Sequence, residues 1–176
     1  SNKLHLGTAL ILLKSIYNHL TSLELLLENC YIESSGAIAS SLWEKSITLQ
    51  YLLLDLEKRI PVYVTHNTFK STPWTIKKMA TDIVKHEPLP KGKKIEDSFD
   101  LLYLQYSYLC AIKHGNPYTS TYLNKIQEGE NIFEPKPIIS IIDKDIVGLL
   151  YMYSITTVYD GIREFSKAFC QSDIYK

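Results

Sequence analysis

The chain is short of most residues that announce a chemistry. Of its 176 residues only 3 are cysteine, and Cys30, Cys110 and Cys170 are odd in number and far apart. No pair has C-x-x-C spacing, so neither a disulfide framework nor a zinc site is indicated, and three reduced thiols point to a cytoplasmic protein. Glycine and proline number 7 each. No glycine-rich phosphate loop and no G-x-S-x-G nucleophile elbow occurs. Net charge is also missing, with 19 basic against 19 acidic residues. A general electrostatic grip on nucleic acid or an anionic membrane needs a positive surplus, so both are disfavoured. The apolar run from Ile146 to Tyr159 is broken by Ser154, Thr156 and Thr157, and is too short and too polar to span a bilayer. No signal peptide is recognised, and Ser1-Asn2 reads as the remnant of an expression tag. His86-Glu87 runs into Pro88 rather than into the helix of a zinc protease, and His5, His19 and His66 lack ligand spacing, so no metal and no cofactor is expected.

What remains is hydrophobic residue, 45% of the chain, enough for a sizeable core in one domain over residues 3–170. Its spacing is helical nearly throughout, and strand signals are almost absent. In the first segment Leu6, Leu10, Leu13, Tyr17, Leu20, Leu23 and Leu27 recur at three and four, which predicts one long helix with an apolar stripe ending near Asn29-Cys30. Ser34-Ser35-Gly36 then predicts the start of a second helix running to about Arg59 and terminated by Pro61. Its Ile38, Leu42, Leu49, Leu53 and Leu56 stripe is flanked by Trp43, Ile47 and Leu54. A helix apolar on more than one face belongs at the centre of a bundle. Pro73-Trp74 predicts the opening of a short helix that ends before Pro88. A third long helix carries Ile95, Phe99, Leu102, Tyr106 and Leu109 and breaks at Gly115 to Pro117. Residues 118–139 read as a connection. The last helix spans about Ser140 to Phe169, with Val147, Tyr151, Ile155, Val158, Ile162, Phe165 and Phe169 on one stripe. The expected fold is all-α: an antiparallel four-helix bundle with a short extra helix between helices two and three. Trp43 and Phe99 are expected in its core.

Three polar groupings stand out against this background. On the second helix Ser40 or Ser41, Glu44, Thr48, Tyr51 and Asp55 follow one another at three or four residues. They form a polar line on an otherwise apolar helix. A carboxylate there is exposed, paired, or protonated by burial, so Glu44 is either a pocket wall or part of a solvated stripe. On the third helix Tyr103, Ser107, Cys110 and His114 share a line. His114 falls at the helix C-terminus, where the dipole favours its charged form. Lys113, His114 and Asn116 there bring several polar capabilities together, although His-Gly-Asn-Pro is also good helix-ending chemistry. On the last helix Asp160, Arg163 and Lys167 are spaced for an ion-pair ladder. Arg163 could instead meet Glu44 across the bundle. It is one of only two arginines, with Arg59. The 13 tyrosines sit mostly at amphipathic helical positions rather than on a base-stacking platform.

Two segments, SSLWEKSITLQYLLLD and YSYLCAIKHGNP, together resemble an uncharacterised bacterial family of helical bundles. The resemblance covers about residues 4–170. That family shows Arg-x-x-x-Glu on its second helix and Ser-x-x-x-x-His-Gly at the end of a later one. Here Glu44 matches the glutamate, Ser40 stands in place of the arginine, and Ser107 with His114-Gly115 approximates the second pattern. The shape also resembles HEPN domains, helical bundles of toxin and antiphage systems. Active HEPN ribonucleases carry an arginine four to six residues before the histidine, where this chain has Tyr108, Leu109 and Cys110. The resemblance therefore implies a non-catalytic cytoplasmic binding or interaction module, in a bacterial defence or toxin–antitoxin-like setting. Its expected polar pocket comprises Glu44, Tyr51, Ser107, His114 and Asn116, and its expected partner is another protein or a second copy. The alternative is a metal-independent ribonuclease, with His114 as general acid/base, Glu44 beside it, and Lys113 or Arg163 in place of the missing arginine. RNA is a partner only under that alternative.

Overall fold

A computed structural model describes residues 2–29, 31–68, 72–86, 94–114 and 144–170. Among them are six helices and no strand: α1 (Asn2–Glu28), α2 (Ile32–Leu53), α3 (Leu56–Thr65), α4 (Ile76–His86), α5 (Ile95–Lys113) and α6 (Lys144–Phe169). The all-α expectation holds. The predicted connection over 118–139 and the start of the last helix at 140–143 lie outside the described residues.

α2 packs against each of the other five helices, which is why its apolar residues are not confined to one face. Leu42, Trp43, Ile47, Leu49 and Leu52 are all fully or almost fully enclosed. Trp43 anchors one core cluster with Leu23, Tyr51, Met79, Leu109 and Leu150. Leu49, Leu52 and Ile60 form a second with Ala9, Leu12 and Ile16. Phe99, expected in the core, is only half-buried and stacks on Tyr103 at 5.5 Å.

Several boundaries differ from the sequence expectation, each for a local reason. α2 begins at Ile32, so Ser34-Ser35-Gly36 lies inside it rather than capping it. The Ser35 hydroxyl donates back to the Tyr31 carbonyl at 2.7 Å, and Gly36 lies against the Ile112 side chain of α5, where no larger residue fits. α2 also stops at Leu53 instead of running to Arg59. Asp55 leaves helical geometry (φ −156°, ψ 78°), and its carboxylate accepts the Lys58 N–H at 3.3 Å, capping a new helix. Arg59 closes the break by donating to the Tyr51 carbonyl, with its guanidinium 3.8 Å from the Tyr51 ring centroid. Pro61 does not terminate anything; it sits inside α3. The Glu57 carbonyl, which loses its helical partner there, belongs to an exposed residue, so the proline breaks no buried hydrogen bond. α4 starts at Ile76 rather than at Pro73, because the Thr75 hydroxyl accepts the Lys78 N–H at 3.2 Å.

The outer helices depart most from their predicted stripes. α1 turns His5, Thr8, Ala9, Leu12, Ile16 and Leu23 inward, leaving Leu6, Leu10 and Tyr17 exposed. α6 turns Leu150, Ser154, Thr157 and Gly161 inward, leaving Tyr151, Ile155 and Ile162 exposed. Small side chains explain the choice on α6. A Cβ on Gly161 would stand at ordinary contact distance, 3.8 Å from Leu49 and 4.0 Å from Ser46, so this position on the α2-facing side has room for a small side chain only.

Candidate functional site

α2 and α5 run antiparallel, and contacts step along them in opposite directions: Gly36 meets Ile112, Ser40 meets Cys110, and Glu44 meets Tyr106. The Ser40 hydroxyl and the Cys110 sulfur are 3.7 Å apart. The Tyr106 hydroxyl donates to Glu44 Oε1 at 3.0 Å, and its ring stacks on Trp43 at 4.9 Å. Burial, hydrogen bonding with Cys110 and the Glu44 charge together push the Tyr106 phenol far above its ordinary value. Tyr106 therefore keeps its proton and serves as a fixed donor that aims the Glu44 carboxylate. Sequence reasoning placed Tyr106 only on an apolar stripe. The available signal was the residue type itself, since a phenol in such a stripe needs a partner.

Glu44 lines a cavity of about 240 Å³ together with Ser41, Lys45, Thr48, Tyr63, Trp74 and apolar side chains of α1 and α4. The Thr48 hydroxyl donates to the Glu44 carbonyl at 2.8 Å, which holds this turn of α2. Trp74 is seated edge-on against Tyr51, with ring centroids 5.0 Å apart, and its carbonyl accepts from Thr72 at 2.7 Å. Burial raises the Tyr63 phenol above its usual value. Lys45 is half-buried, and among the described residues no hydrogen bond or ion pair engages its ammonium. The cavity thus has aromatic walls, one carboxylate and one ammonium. Trp74 and Tyr63 come from the least regular stretch of sequence, which gave no hint that they would face Glu44.

The other expected site residues are distributed differently. Tyr51 is buried behind Trp74 and belongs to the core. Ser107 is exposed, its hydroxyl donating to the Tyr103 carbonyl at 2.9 Å. Lys113 and His114 are exposed at the end of α5, where the His114 N–H donates to the Cys110 carbonyl at 3.0 Å. Asn116 lies outside the described residues. Because Glu44 is met by Tyr106, eight residues before His114, the imidazole stands about 12 Å further along α5. Glu44 and His114 therefore do not share a cavity.

The third grouping is an ion-pair ladder with an additional member. Arg163 contacts Asp160 at 3.0 Å and Glu164 at 3.0 Å, and Lys167 pairs with Glu164 at 2.7 Å rather than with Asp160. Burial lifts the Asp160 carboxyl above its usual value. Burial pushes Glu164 the same way, but hydrogen bonds from Lys167 and Arg163 hold it below the usual range. Arg163, Glu164 and Lys167 line a separate cavity of about 300 Å³ with Gln50 and His86, not the Glu44 cavity. Among the described residues no three His, Cys, Asp or Glu side chains gather to hold a metal ion.

Compared with family models, curated proteins and solved structures, the chain matches none.

Proposed function

We propose that the chain is a non-catalytic binding module, a four-helix bundle of α1, α2, α5 and α6 carrying a small-ligand site in the Glu44 cavity. The observation that carries this is the presence of both Glu44 and Lys45 in one aromatic-walled cavity, the carboxylate aimed by Tyr106 and the ammonium without a partner among the described residues. Half-buried opposite charges that do not pair with each other suit a small zwitterion. Its ammonium would meet Glu44, its anionic group Lys45, and its apolar body Trp74, Tyr63 and Met79. A free amino acid with a large apolar side chain is the simplest example, since about 240 Å³ is smaller than the roughly 300–1,000 Å³ of drug-sized pockets and suits only a small ligand. What favours binding over phosphodiester cleavage is the placement of Ser107, Lys113 and His114, all exposed on α5 and outside this cavity.

Calorimetric titration with phenylalanine, phenethylamine and phenylpropionate separates the contributions. Phenylalanine is expected to bind most tightly. Glu44→Gln should remove its advantage over phenylpropionate, and Lys45→Ala its advantage over phenethylamine. If none of the three binds at millimolar concentration, or if both variants bind all three like the wild type, the reading fails. RNA cleavage lost in His114→Ala would replace it with a catalytic one.

A further inference from the structure

Two long apolar stripes in the sequence run along the edge of the core rather than into it. On α1, Leu6, Leu10, Leu13, Tyr17 and Leu20 recur at four, three, four and three. On α6, Tyr151, Ile155, Val158, Ile162, Phe165 and Phe169 do the same. Leu13, Val158, Phe165 and Phe169 are half-buried against one core cluster, so the inner edges of the two stripes meet along the α1–α6 seam. The outer members stand in the open, with exposures from 38% at Tyr151 to 68% at Tyr17. Six of them (Leu6, Leu10, Tyr17, Tyr151, Ile155 and Ile162), with Tyr159 beside the α6 stripe, each leave roughly half of a 150–200 Å² side chain exposed, on the order of 500–700 Å² in all. A monomer's largest apolar patch is typically about 300–600 Å², whereas a stable interface buries about 800 Å² on each partner. With the half-buried members added, this surface is of interface size.

Its charges indicate the occupant. Lys3, Leu10, Tyr17 and Glu24 are seven apart and share one line on α1, and all four are exposed. A cation and an anion therefore stand at equal distances from the midpoint of an apolar line. A two-fold axis through that midpoint sets Lys3 of one copy against Glu24 of the other, and Leu10 against Tyr17, twice over. This is the self-complementarity that an isologous contact requires. By length and composition alone α1 could also cross a membrane. However, its inner face packs on α2, and the carboxylate on its outer line suits an anionic lipid surface poorly. We infer that the α1–α6 face is a homodimer interface in which α1 pairs antiparallel with α1 of a second copy. The inference is independent of the ligand proposed for the Glu44 cavity.

Sedimentation equilibrium across roughly 1–100 µM tests it. The wild type is expected to be a dimer in this range. Leu10→Glu and Tyr17→Glu are expected to be monomeric with unchanged circular dichroism, since neither side chain is in the core. Lys3→Glu should weaken dimerisation about tenfold, because two ion pairs turn repulsive, and the Lys3→Glu/Glu24→Lys double variant should recover to within about threefold. A wild type that stays monomeric at 100 µM overturns the inference, as does association unaffected by Tyr17→Glu. Failure of the double variant to recover overturns the antiparallel register. Flotation of a monomeric wild type with phosphatidylglycerol or phosphatidylcholine vesicles would make lipid the occupant instead.

Discussion

Replacing Gly36 with alanine sets two effects of opposite sign against each other. Alanine is favoured over glycine in a helix interior by about 0.8–1.0 kcal/mol. Against this, a Cβ built on Gly36 would lie 2.9 Å from the Cβ of Ile112 and closer still to its Cγ2. Rotating Ile112 about χ1 moves the Cγ2 but not the Cβ, which is fixed to the α5 backbone. The clash is relieved only if α2 and α5 separate locally, at the upper part of the roughly 1–3 kcal/mol typical of overpacking. The net expectation is a loss of about 1.5 kcal/mol. For a chain of this length that lowers Tm by roughly 3–6 °C.

Two other glycines give the internal comparison. Gly7 in α1 and Gly148 in α6 have open space where a Cβ would stand, with no atom within 4 Å, so alanine there keeps the propensity gain. Each should raise stability by about 0.4–1 kcal/mol. Thermal unfolding of the three variants and the wild type, followed by circular dichroism at one protein concentration, decides the matter. The fixed concentration is needed because association with a second copy adds to apparent stability. If Gly36→Ala raises Tm as the other two do, α2 and α5 do not approach this closely. The register that sets Glu44 against Tyr106 then fails with it.

Tyr106→Phe removes the donor to Glu44 and should cost about 1–2 kcal/mol in urea unfolding. This is near the lower end for a bond to a charged group, because water can reach a half-buried carboxylate. In a double-mutant cycle with Glu44→Gln, the loss should be clearly smaller in the glutamine background, and equal losses would show that the two side chains do not interact. Glu164 is held below its ordinary value of 4.5, so the stability it contributes is present above that value and is lost as pH falls through its lower folded-state value. Glu164→Gln should lower Tm at neutral pH and flatten its decline under acid, and an acid limb as steep as wild type would refute this.

Five of the six described helices are legible in the sequence because each has a clear period or a hard stop, whereas α3 reads as the end of α2. α5 ends at Lys113, just before Gly115 and Pro117, as its sequence requires. The α2–α3 break was hidden because Asp55 continues the polar line of α2 at the correct spacing. Its side chain could be read equally as one more helical residue or as the cap of a new helix, and only the backbone turn at Leu54-Asp55 decides. The misassigned faces of α1 and α6 have a deeper cause. Periodicity shows that a face is apolar and therefore needs covering, but not which surface covers it. On α6 the buried face carries Ser154, Thr157 and Gly161, small residues that a hydrophobicity pattern scores as weakness.

The candidate site shows the same limit in a second dimension. Spacing along a helix fixes the angle at which a side chain points, and Glu44 and His114 were both placed at the margins of apolar stripes on that basis. It does not fix how far one helix has slid past another. That offset is set by the seat of Gly36 against Ile112, and one such contact determines all the others between the two helices. Advancing along α2 from Gly36 through Ser40 to Glu44 means retreating along α5 from Ile112 through Cys110 to Tyr106. A glutamate eight residues after the glycine must therefore lie opposite the middle of α5, and the histidine at its end lies opposite the start of α2. The sequence names Glu44 because a carboxylate is conspicuous in an apolar helix. It cannot name Tyr106 as the partner, because that depends on a close approach made possible by the absence of a single Cβ.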